Sequence, residues 1–373
     1  MKKKLLALVC ALVMIFSLAS CGLSTPDTVG KVGDFEVSSG LYLLAQFSAY
    51  QQAAQLAGKD QDATDVKAFL KATITTDADT GDTAVVQDYV ADKTLETLRT
   101  FAAIDARFAE LGGELTAEQT QVADNYAQQL MDQYGSTYTA NGIGLETLKA
   151  FERIQLKHTL LLTLVYGPDG ESPVDDSDLT EHLDSQMYEL AYVNIPLYNT
   201  STFVFASDDQ KAQMLQLAQA AASCSETQDG SVSEQVSALH SAASAALPDI
   251  YAVLDSTPAE DASSVQTELL TESDLTGAFT QDGAADAVRG LVYGEAAAVQ
   301  YNAASIILMM RIDPLQVSTL DALRTQILSD MKGDELEDAL TAYGSTLEND
   351  LSTSAMNKMP ASKIVNPSSS SNS

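Results

Sequence analysis

The first strong pattern in the chain is apolar. After Met1 and three lysines, Leu5 to Leu18 carries only Cys10 and Ser17 as polar members. That run is shorter than the roughly 20 apolar residues of a permanent membrane helix, so it predicts a cleavable leader over residues 1–20. Residues 21–28 then read as a tether, and Val29 to Val37 alternates apolar and polar positions about Gly33-Asp34, which predicts a small hairpin. Ser38 and Ser39 are candidate N-caps for a helix through Leu41, Leu44, Phe47 and Tyr50.

Helical spacing dominates the stretch that follows. Val85, Val86, Tyr89, Leu95, Leu98, Phe101, Ile104, Phe108 and Leu111 form one long stripe that stops at Gly112-Gly113, a helix-end signal. Thr116 to Gln119 fits a capping box and opens a helix carrying Val122, Tyr126, Leu130 and Tyr134. A further helix is predicted from about Leu145 to Val165, ending at Gly167-Pro168.

Beyond that break, Val174 to Leu179 opens a short helix through His182 and Leu183, and Met187 to Leu197 reads as a strand. Residues Ser201 to Ser273 are rich in Ala, Ser, Gln and Asp, with helical patches around Met214 to Ala218. Ala304 to Met310 predicts a strongly apolar strand, closed by Pro314. Leu320, Leu323, Ile327, Leu328, Met331, Leu336 and Leu340 predict a final helix pair between Thr319 and about Leu351, and the serine-rich end predicts a disordered tail over 363–373.

Charge changes the picture more than composition does. The chain carries 20 Lys and Arg against 52 Asp and Glu, a net charge of −32, and three of its cations sit in the predicted leader. Such a field repels nucleic acid and anionic membrane surface; it reads first as a solvated, non-sticking surface, and it suits equally cationic clients or a Ca²⁺-rich wall. Cys224 is the one cysteine beyond residue 21, so no disulfide forms within the mature chain, and its Ala-Ala-Ser-Cys-Ser-Glu setting argues against a catalytic thiol. His158, His182 and His240 are far apart and lack zinc-ligand spacing, which assigns them to helix packing or surface. Asp77 to Asp82 is rich in oxygen ligands, but its glycine comes one place too early for a calcium loop and Asp88 replaces the terminal glutamate, so an ordinary polar loop is the reading. Hydrolase, nucleotide and dinucleotide fingerprints are absent, and neither a cofactor nor a metal is expected.

Leu18-Ala19-Ser20-Cys21-Gly22 resembles the bacterial lipobox, with small residues before the cut and a cysteine whose thiol accepts the lipid. The expectation is a lipoprotein anchored through Cys21 at the extracytoplasmic face of a membrane, held by two or three acyl chains.

Three further stretches carry a second likeness. Val29 to Ser38 looks like the opening hairpin, Val174 to Ile195 like the helix and first parvulin strand, and Leu291-Val292-Tyr293-Gly294-Glu295 with Ser305-Ile306-Ile307 like the closing turn and strand of the extracytoplasmic foldases of the SurA and PrsA type. That resemblance implies an α+β chain: a mainly helical chaperone domain formed by N- and C-terminal segments, with an inserted parvulin-like α/β domain. The implied spans are 29–173 for the first helical part, 174–313 for the insert and 314–362 for C-terminal helices packing on the chaperone domain.

The insert departs from its family where chemistry is concerned. Family isomerases place one histidine in the first strand and another in the last; the matching positions here are Tyr192 and Ser305. Residues 223–266 match nothing in the family. The resemblance therefore implies a chaperone or holdase for unfolded, exported polypeptides without isomerase activity, and no catalytic residue is assigned. An active peptidyl-prolyl isomerase is the alternative, and a solute-binding or adhesive surface lipoprotein is a second one, disfavoured by the lack of βαβ patterning and strand repeats.

Overall fold

Capping residues and glycine turns set most element boundaries. The computed structural model describes residues 26–58, 61–227 and 230–366. The predicted leader, the lipidation site Cys21 and the start of the tether lie outside them. In chain order the elements are β1 (Thr28–Val32), β2 (Phe35–Ser38), α1 (Ser39–Ala57), α2 (Val66–Phe69), β3 (Thr73–Thr75), β4 (Thr83–Val85), α3 (Val86–Glu110), α4 (Ala117–Ala140) and α5 (Leu145–Tyr166). Then come α6 (Asp176–Gln186), β5 (Met187–Pro196), α7 (Asp208–Ser225), α8 (Val232–Ala252), β6 (Gln266–Thr271), α9 (Glu272–Ala278) and α10 (Ala284–Arg289). The last are β7 (Ala296–Asn302), β8 (Ser305–Arg311), α11 (Pro314–Val317), α12 (Leu320–Thr346), β9 (Asn349–Leu351) and α13 (Thr353–Met356).

The chain divides into two units: residues up to Val165 with Asp334 onward, and Tyr166–Gly333. In the first unit β1 and β2 pair antiparallel about Gly33-Asp34. Ser38 Oγ accepts from the Leu41 amide at 3.2 Å and so starts α1. The C-terminal segment returns to this sheet, β9 pairing antiparallel with β1 from Val32↔Asn349 to Gly30↔Leu351. Gly30 has φ +125, and a Cβ there would meet the Asp350 carbonyl oxygen at 2.2 Å, so only glycine lets β9 approach. Gln46 Nε2 donates to the Met359 carbonyl at 3.2 Å, and Asn141 both donates to the Val365 carbonyl (2.9 Å) and accepts from its amide (2.8 Å). The helical unit is thus built from both ends of an α+β chain, with a sheet unit inserted.

The sheet unit is a four-stranded antiparallel sheet in the order β6-β5-β8-β7. One face, carrying Ala191, Val193, Ile195, Ile306, Leu308 and Met310, is covered by Met214 and Ala218 of α7 and Leu239, Ala243 and Leu247 of α8. The other, with Tyr188, Leu190, Ile307 and Met309, is covered by Leu275 of α9, Phe279, and Ala284 and Val288 of α10. A strand buried on both faces reads as an unbroken apolar run, which is why β8 was visible in the sequence.

Several expectations need correcting. The final helix pair is one helix, α12, because Gly333 is not among the left-handed glycines that end helices. Residues 201–273 are not loose helical patches: α7 and α8 each open with a full capping box, at Ser207/Gln210 and Ser231/Glu234, and β6 follows. The hairpin β3–β4, closed by the polar loop at Asp77 to Asp82, interrupts a stretch in which helical spacing dominates. The start of the disordered tail expected over 363–373 is ordered: Ala361–Lys363 is a 3-10 turn and Asn366 is hydrogen-bonded to Gln51 and Ala63. The rest of that tail lies outside the described residues. The observed second unit starts at Tyr166 and ends at Gly333, where the sequence suggested 174 and 313; the first part of α12 belongs to it.

Candidate functional site

Side chains alternate across a strand, so the register decides which residues share a face. Tyr192 is opposite Met309 and Gln266, and Pro196 is opposite Ser305. Tyr192 and Ser305 therefore fall on the same face, that of Ile307 and Met309, but four residues apart along the sheet, roughly 13 Å at the strand rise. The structure does not bring these two positions together.

Hydroxyls and carboxylates line this face. Tyr192 Oη lies 3.2 Å from Glu268 Oε2, Tyr188 Oη 3.2 Å from Glu272 Oε2, and Tyr301 Oη 3.2 Å from Asn194 Oδ1. The Phe279 and Tyr301 rings meet at 5.3 Å. Burial, reinforced by Glu268, raises the Tyr192 phenol, and burial with Glu272 raises that of Tyr188, so both hold their protons at neutral pH. A hydrogen bond from Arg289 holds Glu272 below the usual carboxylate range. Ser305 is buried beside this floor. Such a surface offers hydrogen bonds and apolar contact.

The three histidines stand elsewhere. His182 Nε2 is 2.7 Å from Asp330 Oδ2, linking α6 to α12, and His158 Nε2 is 3.1 Å from Glu337 Oε1 in the first unit. His240 is exposed on α8. Cys224 is exposed near the end of α7. The acidic loop at Asp77 is closed by its own backbone: Asp77 Oδ1 accepts from the amides of Asp79 (2.8 Å) and Thr80 (3.0 Å). Among the described residues, no group of three His, Cys, Asp or Glu is placed to hold a metal ion.

The first unit holds a surface the periodicity alone did not orient. Helix α4 buries Ala123 and Ala127 and leaves Val122 56%, Tyr126 59% and Tyr134 48% exposed. Ala127 packs with Leu44, Ile143 and Leu148, and Leu130, Met131 and Tyr138 of α4 pack against the same cluster, while Val122, Tyr126 and Tyr134 stay exposed. The capping box of Thr116 and Gln119, with both hydrogen bonds formed at 3.1 and 2.9 Å, fixes where that helix begins.

No family model matches the chain, and no curated protein matches it. Among solved structures the chain is similar to PrsA foldases. Foldase protein PrsA from Streptococcus pneumoniae str. Canada MDR_19A aligns at TM-score 0.36 and 13% identity, over 76% of this chain and 97% of that one. Foldase protein PrsA from Lactococcus lactis aligns at TM-score 0.31 and 10% identity, over 90% of this chain and 98% of that one. Among the described residues no helix is long and apolar enough to cross a membrane.

Proposed function

We propose that this chain is a lipid-anchored chaperone of the extracytoplasmic face, a holdase that binds exported polypeptides without isomerising prolyl bonds. The observation that carries this reading is the exposure of Val122, Tyr126 and Tyr134 on α4, which stand in water while Ala123, Ala127, Leu130, Met131 and Tyr138 of the same helix turn toward the core. Apolar side chains aligned on one exposed face mark an interaction surface, and a shallow one suits weak, reversible contact with unfolded segments. The sheet face of Tyr192 and Ser305 supports the absence of isomerase chemistry, because neither residue is an imidazole and the two do not converge to hold a hydrogen-bond network around a twisting prolyl bond. The lipobox ending at Cys21 supports the anchor, and the charge of −32 disfavours nucleic acid as partner.

Mixing the purified chain with a chemically unfolded client tests the reading. Aggregation is delayed in proportion to the chain added, and a proline-limited refolding phase keeps its uncatalysed rate. A client that aggregates at the same rate with or without the chain contradicts the holdase; accelerated prolyl isomerisation contradicts its lack of enzymatic activity.

A further inference from the structure

Strain and exposed aromatic surface coincide at one place in the second unit. The segment after β5 folds into a tight hairpin: Tyr198 bridges Phe205, the Ala206 amide donates to the Leu197 carbonyl at 2.9 Å, and the Phe203 amide donates to the Asn199 carbonyl at 2.8 Å. At its apex Phe203, Val204 and Phe205 are 72%, 65% and 60% exposed. Tyr198 stacks on Phe203 with ring centres 6.2 Å apart and meets Phe205 at 5.6 Å, so the three rings form one preassembled surface.

The apex is held in place at a conformational cost. Phe203 has φ +57 and Asp255 φ +49, and among the described residues these are the non-glycine residues with left-handed backbone. Asn199 links them. Its Oδ1 accepts from the amides of Ser201 and Thr202, both at 3.0 Å, which shapes the turn around Phe203; its Nδ2 donates to the Leu254 carbonyl at 2.9 Å, immediately before Asp255. Left-handed backbone is unfavourable for bulky residues and clusters where a surface is pre-set for binding. The stack on Tyr198 covers only part of the Phe203 ring, and the rest of its side chain faces water.

Charge selects the occupant. Exposed acids follow the apex in the chain, Asp208 and Asp209 at the start of α7, and Asp255 adjoins Leu254, the hydrogen-bond partner of Asn199; Lys211 is paired with Asp208 at 3.1 Å. Aromatic faces rimmed by carboxylates attract lysine and arginine through both the rings and the acids. An anionic lipid surface and a second copy of a chain at −32 are both repelled.

We infer that the Phe203–Phe205 apex is a docking point for extended polypeptide segments in which lysine or arginine alternates with aliphatic or aromatic residues. This inference rests on the chaperone reading and names the client chemistry at one contact point.

The test uses the full chain and three fluorescent peptides of one length, each alternating Leu and Phe with Lys, Ser or Glu. The Lys peptide binds at least tenfold tighter than the Glu peptide, with the Ser peptide between them, and the preference shrinks as salt rises. Phe203→Gly relaxes the left-handed backbone, so the protein keeps or raises its melting temperature while affinity for the Lys peptide falls tenfold or more. Phe205→Ser lowers affinity similarly, and Asp208→Asn with Asp209→Asn narrows the Lys-over-Glu preference without abolishing binding. Equal binding of the three peptides, or unchanged affinity in folded Phe203→Gly, overturns the inference. So does Phe203-dependent flotation with phosphatidylglycerol vesicles or a Phe203-dependent dimer in sedimentation, if either occurs without peptide binding. The two proposals fail separately: if the unaltered chain delays aggregation and Phe203→Gly changes neither peptide affinity nor that delay, only the docking point falls. Ordered peptide binding with no delay of aggregation removes the chaperone reading and leaves the docking point standing.

Discussion

Gly344 on α12 and Arg99 on α3 meet at their backbones: a Cβ on Gly344 would lie 2.8 Å from the Arg99 carbonyl oxygen and 3.3 Å from the Arg99 Cβ. The glycine lets two helices of the first unit cross closely, so the C-terminal segment is fixed to the N-terminal one by backbone approach as well as by pairing of β9 with β1. The neighbouring atom is backbone and cannot swing aside. Gly344→Ala destabilises the protein by about 1–3 kcal/mol despite alanine's better helix propensity. Gly333→Ala, in the same helix, has only Ser329 Oγ nearby at 4.0 Å and stabilises by about 0.5–1 kcal/mol. Thermal melts of the two variants should shift in opposite directions; a shift of the same sign in both would contradict the close crossing.

Glu189 makes stability depend on pH in an unusual direction. It is buried on β5, and desolvation, helped by the nearby Glu268 carboxylate, pushes its pKa from 4.5 up to about 7. A group whose folded pKa is raised contributes stability in full below the unfolded value and loses it as pH climbs through the folded value. The unaltered chain therefore loses, between about pH 4.5 and 7, on the order of 3 kcal/mol that Glu189→Gln does not lose. Carboxylates held low by partners, such as Glu272 with Arg289, act in the opposite sense in both proteins and cancel in the comparison. The gap in melting temperature between variant and unaltered chain widens in the variant's favour from pH 5 to pH 8; a constant gap would remove Glu189 as its cause.

The sheet face gives a prediction of no effect. Tyr192→Phe and Ser305→Ala change side chains that share a face without converging, so a prolyl-peptide assay should read the uncatalysed rate for both variants and for the unaltered chain. Catalysis in the unaltered chain that either substitution abolishes would assign the isomerase to these positions.

Anchoring is tested by growing cells with a labelled fatty acid. Label enters the unaltered chain and is absent from Cys21→Ala, which is released from the membrane fraction. Label retained by Cys21→Ala would place the lipid elsewhere.

Local chemistry was legible and long-range chemistry was not. Ser38, the Thr116–Gln119 box, Gly112-Gly113 and the apolar β8 announce themselves because a cap, a left-handed turn or a doubly buried strand is written within a few residues. Strand β9 was invisible because its three residues form a strand only by meeting Thr28–Val32 some three hundred residues earlier. The helix pair expected between Thr319 and about Leu351 is a single helix because Gly333, inside it, does not adopt the left-handed backbone that ends a helix. On α4 the spacing of Val122, Tyr126, Leu130 and Tyr134 correctly predicted a helix but not that only Leu130 of the four packs on the core, since Ala123 and Ala127 repeat with the same period one position on and take the buried side. The apex at Phe203 was missed for a related reason: three apolar residues after a turn look like a strand until the turn is seen to point them outward.

The exposed face of α4 is where the proposed function is most directly at risk. Val122→Ser with Tyr126→Ser alters two side chains that already stand largely in water, so the free energy of unfolding should stay within about 0.5 kcal/mol of the unaltered value. Light scattering from an unfolded client, followed with equal amounts of each protein, decides the matter. The unaltered chain should hold scattering down and the double variant should lose most of that protection; protection undiminished in the variant, or absent from the unaltered chain, would contradict the claim that this face holds clients.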